Sequence, residues 1–320
     1  MTKHFRITSN NERFLITGIG GIKLTTFTLW FIWGMIFLLL FQPGIAHDGA
    51  DFGLELFGEA LLPYLLPYLI LTQWLIRLPK KERNEGRAWL YTKTYAISAF
   101  GGFPTGAAAI AYLTKSGTLS RKDSSLLLAV CHSPSPMFLI GFVGVELLGK
   151  PFEGWKLLAI IHLVNLILLI FVYFKGGHVT NNSKKRAQET QFKSPSPLSD
   201  SLKESSNIIL LVATTVIFFA TISTVLSSLI ANFMGPAADY YALGIFSALE
   251  MTTALQIAKD LFEQASLFPY IIAAILSLNG LSIHLQVLVI AKSAKIPIRP
   301  YIFLRFLHVL IVPFIYSLLQ

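Results

Sequence analysis

The sequence predicts an all-α, polytopic membrane protein. It would have about seven transmembrane helices plus two re-entrant or broken helical hairpins, arranged as an inverted-topology repeat. Three observations carry that expectation. Hydrophobic residues make up 54% of the 320 residues and charged ones only 13%, against roughly 25% charged in an average soluble domain. Several apolar runs approach the ~20 residues that a helix needs to cross a bilayer. One such run, Thr94 to Thr114, is interrupted by Phe100-Gly101-Gly102-Phe103-Pro104-Thr105-Gly106. Glycine lowers helix stability by about 1 kcal/mol relative to alanine and proline by about 3. Backbone broken in this way survives at membrane depth only inside protein or along a wet cavity.

Residues 1–23 carry Lys3, Arg6, Arg13 and Lys23, which places the N-terminus in the cytoplasm by the positive-inside rule. Leu24–Phe41 is the first span, too long for the apolar core of a cleavable signal. The connection Gln42–Glu59 holds Asp48, Asp51, Glu55 and Glu59 and no base, as an outer loop would. Leu56–Ile76 returns to a loop rich in Lys and Arg. A broken element over 88–118 follows, with bases on both sides, so it enters and leaves on the cytoplasmic face. Ser124–Val145 is long enough to cross, although Ser133-Pro134-Ser135-Pro136 interrupts it. Trp155–Phe174 crosses back. Asn207–Met234, a weaker broken element at 241–265, Ser266–Ala291 with a break at Asn279-Gly280, and Pro300–Leu319 complete the chain. With this arrangement every Lys and Arg except Lys150, Lys156, Lys259 and Arg305 lies in a cytoplasmic segment.

The two halves share the order span, broken hairpin, interrupted span, span. An offset of 148 residues sets Gly102 on Glu250 and Cys131 on Asn279 without a gap. An odd number of crossings separates equivalent points, so the second copy is inverted. The expected organisation is therefore a cytoplasmic N-terminus and first helix at 1–55, a first repeat at 56–174, a polar cytoplasmic linker at 175–206 and a second, inverted repeat at 207–320.

If the hairpin tips meet near the midplane, helix N-termini there aim free N–H groups and a partial positive charge at a solute. Gly101, Gly102, Pro104, Thr105 and Gly106 are the candidates at the first tip. Their competing role is tight helix packing, which small residues serve in membranes. Glu250 lies in an apolar stretch, where an ionisable side chain is costly and is usually functional. It is the candidate coupling-ion site, with a paired structural carboxyl as the alternative. Thr252 and Thr253 beside it offer hydroxyls, unless they bond back to their own helix. Ser133 and Ser135 in the first interrupted span, and Asn279, Ser282, His284 and Gln286 in the second, are further substrate-binding candidates. Arg305 could meet a carboxylate, but its place near the inner interface favours snorkelling.

Other classes are poorly served. The single cysteine, Cys131, excludes an internal disulfide framework. The net charge of +9 is spread over loops rather than gathered in a patch, which argues against nucleic acid as a partner. No enzyme signature, cofactor motif or metal-ligand spacing is present: Gly101-Gly102 is not part of a phosphate-binding Gly-x-Gly-x-x-Gly.

Glu59-Ala60-Leu61-Leu62-Pro63-Tyr64-Leu65-Leu66-Pro67-Tyr68 resembles the Pro-x-x-x-Pro-Phe span of the YlbJ (SpoVV) type of sporulation integral membrane protein. That family carries the nucleoside-recognition Gate domain. Gly102-Phe103-Pro104-Thr105-Gly106-Ala107 resembles its Gly-Tyr-Pro-x-Gly-Ala motif. Ser133 to Gly141 is similar to its Asn-Ser-x-x-Pro-Leu-Phe-Ile-x-Gly segment, with His132 in place of the Asn. Leu249 to Thr252 and Gly280 to Val287 resemble its second half. The resemblance implies a membrane transporter of a small aromatic anion, dipicolinate, moved from the mother cell across the outer forespore membrane. Nucleoside or base transport, and a non-transporting scaffold that recruits sporulation proteins through the linker, remain alternatives. The expected partners are the anionic solute and the bilayer, with a second copy of the chain or other sporulation membrane proteins left open.

Overall fold

The computed structural model describes residues 16–78, 86–175 and 196–319, and every regular element among them is a helix. Among the described residues five helical runs are long and apolar enough to cross a membrane: Pro43–Arg77, Pro151–Phe174, Pro197–Met234, Phe268–Ser293 and Arg299–Leu318. That is the pattern of a multi-pass integral membrane protein. In chain order the helices are α1 (Ile16–Phe41), α2 (Pro43–Arg77), α3 (Arg87–Gly101), α4 (Thr105–Lys115), α5 (Arg121–Val130), α6 (Phe138–Leu147) and α7 (Pro151–Lys175). After the second gap come α8 (Pro197–Met234), α9 (Ala238–Leu249), α10 (Met251–Phe262), α11 (Phe268–Leu278), α12 (Gly280–Ser293) and α13 (Arg299–Leu318).

One of the seven expected spans is not a single helix. The first, Leu24–Phe41, lies unbroken within α1, whose large side chains, Trp30 and Phe41 among them, are exposed. The stretch 124–145 is divided between α5 and α6, because Cys131 to Ser135 is unwound. Pro134 and Pro136 bring no N–H to a helix there, so the backbone leaves the helical ladder.

Two helices begin earlier than the sequence suggests. α2 starts at Pro43, in what reads as an acidic outer loop. Proline is suited to the first helical turn, and Asp51 is held on the exposed face by His47 one turn earlier at 3.1 Å. Gly49 and Gly53, four apart, lie against α8. A Cβ on Gly53 would come within 2.9 Å of the Ile217 Cα, so only glycine lets the two backbones approach this closely. α8 starts at Pro197, within the expected linker. Ser196 caps it by accepting from the Ser199 N–H at 3.4 Å, and Asp200 complements the dipole in the first turn. The rest of that linker, 176–195, lies outside the described residues, as do the N-terminal bases Lys3, Arg6 and Arg13 and most of the basic loop after α2.

Within α2 the turn at Leu56–Leu61 is widened to a π-helix, and the Leu62 N–H reaches back five residues to Phe57. Pro63 explains the position. It cannot donate to the carbonyl four residues back and its ring presses on that carbonyl, so the helix relaxes by one residue just before it. The widened turn directs Leu61, Tyr64 and Leu65 inward together, onto the cavity described next.

Candidate functional site

Four chain breaks gather in the protein interior. Gly102, at the end of α3, has φ 68° and ψ −175°, a combination that essentially only glycine adopts. Glu250 separates α9 from α10 with an extended backbone (φ −140°, ψ 110°). Cys131 to Ser135 separates α5 from α6. Asn279, left-handed at φ 67°, separates α11 from α12.

The breaks are packed against one another in pairs. A Cβ on Gly102 would come 2.8 Å from the Ser135 Cβ and 2.9 Å from its Cα. A Cβ on Gly106 would overlap the Cys131 carbonyl oxygen. In the second half, Gly280 (φ 63°) lies so close to the other tip that a Cβ would stand 3.0 Å from the Met251 nitrogen and 3.3 Å from that of Glu250. The glycines at the first tip thus serve close packing, the alternative weighed from the sequence. Gly101 and Thr105 are buried beside them, and the Thr105 hydroxyl bonds back to the Gly101 carbonyl at 3.1 Å. Pro104 precedes α4 in the same knot.

One small cavity touches both tips. Its wall includes Phe103 from the first tip, Ser135 from the first interrupted span, Glu250 and Thr252 from the second tip, and Gln286 from α12. Leu61, Tyr64 and Leu65 of α2, with Val212 and Val216 of α8, close it on the apolar side. Its volume is about 40 Å³, room for a few waters at most.

Glu250 is 1% exposed, and its Oε2 accepts the Thr253 N–H at 2.6 Å. The carboxylate therefore occupies the N-terminal amides of α10 as a built-in cap. Gln286 donates from Nε2 to the Thr215 hydroxyl at 2.9 Å, fixing its amide against α8. The Ser135 hydroxyl accepts from the Phe138 N–H at 3.2 Å and so caps α6.

The remaining expected residues fall outside this wall. Ser133, Thr253 and Ser282 are buried but do not line the cavity. Asn279 also does not line it, and its Nδ2 holds the Ser277 carbonyl at 3.0 Å. His284 faces a second cavity between α12 and α13. Its Nε2 meets the Leu278 carbonyl at 2.9 Å. A carbonyl can only accept, so Nε2 carries the ring proton, and Nδ1 of the neutral ring accepts from the Tyr301 hydroxyl at 2.7 Å. His132 stands between the two cavities, its ring stacked on Phe103 at 5.1 Å and parallel to His284 at 6.1 Å.

Arg305 does not snorkel. It is 4% exposed, with Nη1 donating to the His132 carbonyl at 3.0 Å and Nη2 to that of Ala129 at 2.6 Å. The unwound end of α5 leaves these carbonyls without helical partners, and a cation is the favoured group there. Sequence position alone suggested an interfacial residue; the signal missed was Ser133-Pro134-Ser135-Pro136 itself, which frees carbonyls that need donors. Tyr64 was also missed as a wall residue. Its hydroxyl bonds the Glu146 carboxylate at the exposed rim, where Lys259 donates to the Glu146 carbonyl at 2.9 Å.

Among the described residues no group of three or more His, Cys, Asp or Glu could hold a metal ion. The chain matches no protein-family model, no curated protein and no solved structure.

Proposed function

We propose that this protein is a membrane transporter for a small aromatic anion, built as two inverted copies of a hairpin-and-broken-helix unit. The observation that carries the reading is the shared cavity: residues adjoining both helix breaks, Phe103 and Glu250 with Thr252, line one small space among charge-poor helices. Discontinuous helices meeting around a buried site are how secondary transporters hold solutes. The repeat is supported by the order of elements. The sequence α2, α3–α4, α5–α6, α7 recurs as α8, α9–α10, α11–α12, α13, and the breaks keep the offset of 148 residues at both Gly102/Glu250 and Cys131/Asn279. On this reading α1 and the α5–α6 unit complete seven crossings, and the N-terminus is cytoplasmic.

A space of about 40 Å³ is too small for a pyridine dicarboxylate, so the halves must part to admit one. Glu250 supplies the coupling. Two negative charges in a low-dielectric cavity repel strongly, so an anion enters this site together with a proton on Glu250. The resemblance to the YlbJ type names dipicolinate and the outer forespore membrane as the expected solute and location. A second reading has an observation of its own. The amides of α10 are already taken by the Glu250 carboxylate, while Thr252, Gln286 and Tyr64 offer uncharged hydrogen-bonding groups. That set suits a nucleoside or base.

The test is uptake into liposomes holding the purified protein, with labelled dipicolinate and labelled uridine in parallel. Saturable dipicolinate uptake that quickens with an inward proton gradient is expected. Uptake of uridine alone would transfer the assignment to the second reading, and uptake of neither, with the protein correctly inserted, would reject transport of both.

A further inference from the structure

The larger cavity of the protein is not the one between the helix breaks. It lies between α12 and α13, has a volume of about 350 Å³ and falls in the range of small-molecule sites. Its surface is hydrocarbon almost throughout. The polar groups of the residues around it are spent inside the protein. His284 is held by the Leu278 carbonyl and the Tyr301 hydroxyl, and Arg305 donates to the Ala129 and His132 carbonyls. At the mouth, Leu281 and Phe306 are 48% and 70% exposed, so the cavity opens sideways, toward lipid in a membrane. A dry slot of this kind takes an apolar chain and rejects hydrated solutes.

The charges at one end of the slot decide which apolar chain it suits. Leu281, Leu285 and Leu288 of α12 line it at helical spacing, and the next residue on that face is Lys292. Ile302, Phe306 and Val309 of α13 form the facing row, and the residue before them on that face is Arg299. Both walls therefore run into a base at the same end, where the turn 294–298, with Lys295, joins the two helices. These three bases are exposed, and among the described residues none of them forms an ion pair. No Asp or Glu occurs from 264 to 320. The Ser125 hydroxyl donates to the Pro297 carbonyl at 2.6 Å, which brings the start of α5, with exposed Arg121 and Lys122, to the same turn. The acid beside them, Asp123, is buried and accepts from the Ser120 hydroxyl.

We infer that this slot holds one acyl chain of an anionic phospholipid whose phosphate rests among Lys292, Lys295 and Arg299. Basic pockets between membrane helices recognise acidic head groups, and each methylene buried in the slot strengthens the hold. The two features act together. Bases without a slot attract anionic lipid only loosely, and a slot without bases does not tell one head group from another. The site goes beyond transport: it needs no opening of the halves and no proton on Glu250.

The test is native mass spectrometry of the full chain released from nanodiscs of phosphatidylglycerol and phosphatidylcholine in equal amounts, with matched acyl chains. One phosphatidylglycerol per chain should stay bound, about tenfold or more in excess of phosphatidylcholine, since a base near an acidic head group is worth roughly fivefold. Replacing Lys292, Lys295 and Arg299 together by Gln should equalise the two lipids. Leu281→Trp, which fills the mouth from an exposed position, should cut retention about tenfold, as expected from losing two buried methylenes at roughly fourfold each. All four positions are exposed, so both variants should melt with the wild type. Equal retention of the two lipids by the wild type would overturn the proposal, as would a preference that survives the triple substitution. Retention unchanged in Leu281→Trp would reduce the bases to loose surface attraction and overturn the slot. Since retention is read without transport, failure of either proposal leaves the other standing.

Discussion

Replacing Gly102 with alanine tests whether the two breaks of the first half are docked as described. Two costs arise. The backbone at φ 68°, ψ −175° is one that a residue with a Cβ avoids, at about 1–3 kcal/mol. The new methyl would also stand 2.8 Å from the Ser135 Cβ and 2.9 Å from its Cα, with the backbone nitrogen of Ser135 closer still. The obstacle is main chain, so a rotamer change cannot relieve it, and overpacking of this kind costs about 1–3 kcal/mol. Together the substitution should destabilise the fold by roughly 2–6 kcal/mol, a large share of the 5–15 kcal/mol by which ordinary domains are stable. Thermal unfolding in detergent, followed by the loss of the monodisperse peak on size exclusion, reads this out. Gly244→Ala is the control. It lies within α9 with no atom within 4 Å of its would-be Cβ, and it should be neutral or gain up to about 1 kcal/mol from helix propensity. A Gly102→Ala protein that melts with the wild type would show that the end of α3 and the Cys131–Ser135 segment are not in contact at that point.

Three further outcomes are expected. Glu250→Gln keeps an acceptor for the Thr253 N–H and removes the titrating group, so the protein should insert and melt as before while transport loses its pH dependence; a retained pH profile would remove Glu250 from coupling. Arg305→Met strands the Ala129 and His132 carbonyls, at about 1–3 kcal/mol for each unsatisfied group. Its melting temperature should fall well below that of Arg305→Lys, and equal melting of the two would contradict the capping role. Cys131 is the single cysteine and is 3% exposed, so a maleimide should label it only after denaturation in dodecyl sulfate, and rapid labelling of the folded protein would place the unwound segment elsewhere.

Much of this fold is legible in the sequence because its interruptions are written in residues that a helix rejects. Gly102, Pro104, Pro134 and Asn279-Gly280 mark three of the four breaks, and Glu250 marks the last as an ionisable group in an apolar run. Helix starts are less visible. Asp48 and Asp51 read as loop until the Gly49–Gly53 contact with α8 supplies a reason for the segment to be buried. The 175–206 stretch reads as linker although Ser196, Pro197 and Asp200 form a competent helix start. The site was half legible. Glu250, Thr252, Ser135 and Gln286 do line the central cavity. His284 and Asn279 do not, because a break in the backbone tells where carbonyls are freed and not which way the neighbouring side chains turn. Arg305 was misjudged for a related reason: distance from the interface along a helix says nothing about what is packed beside it.

The bonds that join the two halves differ greatly at the two ends of the seam. At one end Arg305 is sunk among main-chain oxygens of the opposite half, beyond the reach of competing water. At the other, Lys259 meets the Glu146 carbonyl where solvent can replace it at little cost. On the transport reading, parting the halves at the Glu146 rim would break an exposed bond, whereas parting them at Arg305 would strip a buried cation of its acceptors.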